Sequence, residues 1–173
     1  MTDFSQAEYQ ALRATISQRG TARLCAVLVG LAAWGALAAA LALAGIGGPA
    51  MLVPLVVLAG TFEINFFVHT GVERVGRYLQ VFYEERHGTI GWETIAMNYG
   101  AKFPAGLDPL FGLIFAAAAL LNLSLSISIR RPAWIVLSLL SHLAFGYRIV
   151  SARKDAAAQR VLDLDRFRSL LSK

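Results

Sequence analysis

AMLVPLVVLAGTFEINFFVHTGVERVGRYLQVFYEE, residues 50–85, begins as lipid-compatible helix, acquires Glu63, Asn65 and His69 in its second half, and ends charged and amphipathic. The stretch reads as one long helix that leaves a membrane. An ionisable group inside a spanning segment marks a functional candidate, because a charge in hydrocarbon costs several kcal/mol unless it is paired, hydrated or neutralised.

The rest of the chain fits that reading. Of 173 residues, 57% are hydrophobic and the mean hydropathy is +0.57, too apolar for an ordinary soluble fold of this length. The fold class expected is all-α, a polytopic membrane protein with four transmembrane helices, a long second helix extending into the cytosol, and amphipathic N- and C-terminal helices. The one cysteine, Cys25, excludes an internal disulfide framework. The net charge of +5 sits beside apolar segments, where it sets orientation and meets anionic lipid; nucleic acid is not an expected partner.

The chain reads as a single domain over residues 1–173. Residues 1–20 carry Phe4, Tyr9, Leu12 and Ile16 at helical intervals among charges, an amphipathic helix and not a cleaved signal peptide. Spans are expected at 22–46, 51–70, 109–129 and 133–150, since about 20 apolar residues cross the hydrocarbon. Small residues such as Gly30, Ala33 and Ala38 mark a face of the first span where another helix can approach closely. GIGGP at 45–49 signals a reversal between spans one and two. Residues 71–107 form a cytosolic helix extension and an interfacial loop, in which Trp92, Ile95, Ala96 and Tyr99 predict a short helix at headgroup level. Asp108 and Pro109 supply an N-cap and N1 pair for span three. In the tail at 151–173, Val161, Leu164, Phe167 and Leu171 share an apolar stripe.

Orientation follows from the basic residues. With both termini cytosolic, fourteen of the 16 Lys and Arg lie on that side, and only Arg130 and Arg131 on the other. This is the pattern of a multi-pass protein of a bacterial inner (plasma) membrane.

Two residue sets are candidates for function. Glu63 lies about 12 residues from the outer end of span two and His142 about 9 from that of span four, so depth counting puts both roughly 14 to 18 Å down. They are expected to meet as a proton-sharing pair, with Asn65 and Asn122 extending an ion or proton path. The bland alternative is that these groups hydrogen-bond between helices as glue. The second set, His69, Glu73, Arg74, Arg77, Tyr78 and Phe82, lies where the helix leaves the bilayer and reads as a cytosolic interface, covered either by the chain itself or by a partner. His69 and Glu73 are spaced for a metal, but helical di-metal sites use more carboxylates from more helices, so no metal site is assigned. Signatures such as CxxCH, GxSxG, HExxH and Walker A are absent, and neither a catalytic residue nor a cofactor is implied.

The expectation is therefore a non-enzymatic membrane subunit, homo-oligomeric or bound to another membrane protein, touching anionic lipid at its cytosolic face. A small oligomeric ion or proton channel or transporter built on Glu63 and His142 is the alternative, and a membrane metal or redox enzyme the third reading.

Overall fold

The computed structural model describes residues 3–102, 112–127 and 131–171, and among these there is helix and no strand. Five α-helices follow in order: α1 (Asp3–Leu43), α2 (Leu52–Leu79), α3 (Trp92–Lys102), α4 (Ile114–Ser126) and α5 (Pro132–Leu171). A 3₁₀ turn at Gly48–Met51 leads into α2, and a π turn at Gln80–Glu84 followed by a 3₁₀ turn at Glu85–His87 ends it.

Three helices, Gln6–Leu43, Gly48–His87 and Pro132–Leu171, are long and apolar enough to cross a membrane. The helix at the third expected span is described for only 13 residues. Asp108 and Pro109, expected to cap it, and Arg130 of the reversal before α5 lie outside the described residues.

Two boundaries differ from those expected. The amphipathic N-terminal segment and span one are a single helix of 41 residues, roughly 60 Å long. The lone Gly20 costs a helix interior about 1 kcal/mol and removes no backbone donor, so a change from polar to apolar composition passes without a break. Span four and the tail likewise form one helix of 40 residues, because SARKDAAAQR at 151–160 is made of good helix formers. Hydropathy marks where the surroundings change, whereas a helix ends only where the backbone is interrupted.

Such an interruption occurs after Leu43. Gly45 adopts a left-handed φ of 68°, its N–H donates to Ala42 O at 3.0 Å, and the Ile46 N–H donates to Leu41 O at 2.9 Å. These are the paired bonds of a Schellman cap, which satisfy the carbonyls the helix would leave open.

The chain divides into two compact units through which α1, α2 and α5 each pass. One comprises Met1–Arg23, Phe67–Gly106 and Lys154–Lys173, the other Leu24–Phe66 and Leu107–Arg153. They are called here the charged unit and the apolar unit.

In the apolar unit, Phe62 of α2 meets Phe115 of α4 and Phe145 of α5 edge to face, with ring centroids 5.2 and 5.9 Å apart. Phe62 and Phe115 are fully buried. α1 approaches α2 so closely that a Cβ at Gly30 would stand 2.1 Å from Thr61 Oγ1. Only a residue without a side chain admits that contact.

In the charged unit, the apolar side of α2 is covered by the chain's own ends. Tyr78 stacks on Phe82 at 4.7 Å and meets Phe167 of α5 edge-on at 5.7 Å, while Tyr9 of α1 lies 5.5 Å from Tyr83. Leu79 and Val81 are buried beneath them. Aromatic pairs at these separations add about 0.5–1.5 kcal/mol each to the burial of their area.

Candidate functional site

The apolar unit holds a polar cluster centred on Asn122 of α4. Its Nδ2 donates to Met51 O at 3.0 Å and lies 3.1 Å from His142 Nε2, and its Oδ1 accepts from Trp34 Nε1 at 3.2 Å. One fully buried amide thus ties α4 to α1, to the turn before α2, and to α5. The amide has two N–H groups and both are spent as donors, so His142 Nε2 must accept. The Nδ1–H of His142 then donates to Ser138 O at 2.7 Å. This assignment fixes the neutral imidazole in one tautomer with both nitrogens engaged.

Glu63 does not join that cluster. Arg148 of α5 holds its carboxylate with two hydrogen bonds, Nε to Oε1 at 2.7 Å and Nη2 to Oε2 at 3.0 Å. The guanidinium also lies over Phe66, 4.5 Å from the ring centroid. The side chains of Glu63 and Arg148 are 49% and 30% exposed, so the pair sits at the surface of its unit. Depth alone does not bring the two together: Phe62 lies beside Phe145 and Glu63 pairs with Arg148, about 9 Å of helix beyond His142, while His142 is buried against Asn122 and Glu63 lies at the surface. Asn65 is fully buried. Of the four residues assigned to an ion path, Asn122 and His142 are brought together, and Glu63 has a different partner.

The second candidate set lies in the charged unit, where the residues are drawn into ion pairs between helices. Glu73 receives Arg160 of α5 and stands 3.7 Å from His69 Nε2. Arg74 Nε donates to Asp163 Oδ2 at 3.1 Å, and Tyr78 Oη to Glu8 Oε1 at 3.0 Å. Burial, followed by the hydrogen bond to Glu8, raises the Tyr78 phenol above its usual pKa. Arg77 turns to Gln80 and Glu93. It is buried, with Nη1 on Gln80 Oε1 at 2.7 Å and Nη2 on Glu93 Oε2 at 3.3 Å.

Glu93 is the point on which α1, α2 and α3 converge, since Arg13 Nη1 donates to its other oxygen at 2.9 Å. Burial pushes the Glu93 carboxyl above the usual carboxylate range, against the pull of Arg77 and Arg13. Burial likewise lowers the Arg77 guanidinium, with Glu93 opposing.

α3 is seated by a second carboxylate. Glu84 accepts the backbone N–H groups of Glu93 at 2.9 Å and Thr94 at 2.8 Å, and the Thr94 hydroxyl at 2.6 Å. A carboxylate at a helix N-terminus satisfies orphan donors and meets the positive end of the macrodipole. The approach needs Gly91, where a Cβ would fall 2.4 Å from Glu84 Oε1. The π turn at Gln80–Glu84 inserts an extra residue ahead of this carboxylate and turns it toward α3.

These groups border a cleft of about 320 Å³ within the charged unit, lined by Arg13, Glu73, Arg77, Glu93 and Arg160 together with apolar side chains that include Trp92. Arg77 and Arg160 each leave a buried Nε without an acceptor among the described residues.

Sequence reasoning missed Glu84, Glu93, Arg13, Arg148 and Arg160. Glu93 carried a local signal as an acid in the first turn of a helix, whereas the others act across 9 to 87 residues of chain and leave no spacing to read. Comparison with known proteins returns no match, whether to a family model, a curated protein or a solved structure.

Proposed function

We propose that the chain is a non-enzymatic integral membrane protein, an oligomeric or accessory subunit with a cytosolic helical interaction surface. The distribution of side chains in the apolar unit supports a bilayer setting. Asn65, Asn122, Ser126 and Ser138 are buried, while Val56, Leu120 and Leu143 are 60–70% exposed or close to it, at 70%, 68% and 68%. Polar groups inside and large apolar groups outside suit hydrocarbon as the solvent.

The Glu63–Arg148 pair carries the subunit reading. It lies at the periphery of that unit among exposed apolar neighbours such as Ile64, Tyr147 and Val150. Charges facing lipid are costly, and a neighbouring protein that covers the pair removes the cost. The bias of Lys and Arg supports cytosolic termini in an inner membrane, an orientation that takes residues 109–129 as a fourth crossing. Exposed Trp92, Ile95 and Tyr99 on α3 support contact with headgroups, anionic lipid included, at that face. A proton path through Glu63 and His142 draws no comparable support, because each is held by other partners.

Sizing of the full chain, expressed at native level and extracted in mild detergent, tests this reading. An assembly larger than one chain, or a partner recovered in fixed ratio, is expected. A strict monomer without a partner overturns it.

A further inference from the structure

We propose that the cleft of the charged unit binds a phosphate group, carried by a free anion or ester or by a lipid headgroup. Three guanidiniums, on Arg13, Arg77 and Arg160, line it against two carboxylates, on Glu73 and Glu93, leaving one positive charge in excess. They come from α1, α2 and α5 and so approach from different directions. A tetrahedral oxyanion has acceptors for several guanidinium groups approaching from different directions.

The unmatched donors point the same way. Arg77 is 5% exposed, and its two Nη groups are engaged by Gln80 and Glu93 while its Nε has no acceptor among the described residues. Arg160 reaches Glu73 through Nη2, and its Nε is also buried without an acceptor. Buried polar groups are nearly always satisfied, so two such donors bordering one cleft mark a place for acceptor oxygens. Both Nε atoms are buried, so each guanidinium turns to present its Nε to the anion. At about 320 Å³ the cleft exceeds what one phosphate group needs. The remaining wall, with Ile16, Val72, Trp92 and Met97, suits the organic part of an ester or lipid. Glu93, bound to Arg13 and Arg77, competes with the anion for both.

The test uses the full delipidated chain in neutral detergent. Inorganic phosphate is titrated by calorimetry, and phosphatidic acid is compared with phosphatidylcholine by native mass spectrometry. Saturable binding is expected, weakened at least tenfold by Arg13→Gln and by Arg160→Gln and tightened several-fold by Glu93→Gln. Binding of inorganic phosphate assigns the site to free anions and esters. Binding of phosphatidic acid alone assigns it to a headgroup. No saturable binding of either probe at millimolar concentration overturns the proposal, as does binding that the two arginine variants leave within twofold. Should the arginine variants lose their helical circular dichroism, Glu93→Gln decides: tighter binding supports the site, and unchanged or weaker binding removes it.

Discussion

Arg148 grips both oxygens of Glu63, at 2.7 and 3.0 Å, across two helices whose exposed neighbours here include Ile64 and Val150. Each charge is tolerated there because the other is present. Removing one partner leaves a lone charge in an apolar segment, so Glu63→Leu and Arg148→Leu should each lower the unfolding temperature in detergent. The double variant should recover much of the loss, with a coupling on the order of 1 kcal/mol. Additive losses would show that the two side chains act independently.

Asn122 joins three other parts of its unit with one amide. Asn122→Ala strands the donor of Trp34 and the acceptors at Met51 and His142, which should cost about 2–3 kcal/mol of stability. Leucine, close in volume, should not rescue it, because the stranded groups remain. Thermal or denaturant unfolding of the purified variants checks both expectations.

Gly30 faces Thr61 with no room for a methyl group, the added Cβ standing 2.1 Å from Oγ1. Gly30→Ala should destabilise the protein by roughly 1–3 kcal/mol through overpacking. Combining it with Thr61→Ala should restore part of the loss. Gly35→Ala, where no atom lies within 4 Å of the added carbon, should be close to neutral or slightly stabilising.

Two carboxylates predict opposite pH responses. Arg168 holds the Glu85 carboxyl below the usual carboxylate range, first through its hydrogen bond. Stability from that pair is present above the unfolded pKa and is lost as pH falls through the lower folded one. The pair is largely solvated, so Arg168→Ala should cost at most about 1 kcal/mol at neutral pH and nothing in strong acid. Glu93 is raised above 4.5 by burial, so its contribution is present below that value and declines as pH rises through its folded pKa. Glu93→Gln should flatten that decline in a series of melting curves.

The Glu84 carboxylate caps α3 by bonding two N–H groups in its first turn. Glu84→Ala should cost about 1 kcal/mol, and hydrogen exchange should speed first at Glu93 and Thr94. Gly91→Ala should have a similar effect by driving the carboxylate away.

Much of the architecture was legible in the residues, and the reasons for the rest are physical. Helical periodicity and apolar runs located the long helices, and GIGGP located the reversal after Leu43. The joins at Gly20 and at Ser151 were not legible, because a change of polarity does not break a backbone. The separation of Glu63 from His142 was hidden as well, since depth counted along a sequence carries no information on which neighbour each side chain turns to. Asn122 was legible as a polar group in an apolar run, and Glu73, Arg74 and Arg77 as charges where the apolar run ends. The partners themselves, among them Trp34, Glu93 and Arg160, lie 16 to 88 residues away and are fixed only by tertiary packing.

Proton flux across proteoliposomes holding the purified chain tests most directly whether the buried polar groups of the apolar unit are interlocks or a conduit. The interlocked arrangement around Asn122 predicts flux equal to that of protein-free liposomes, unchanged by Glu63→Gln. Flux well above that background and abolished by Glu63→Gln would contradict it.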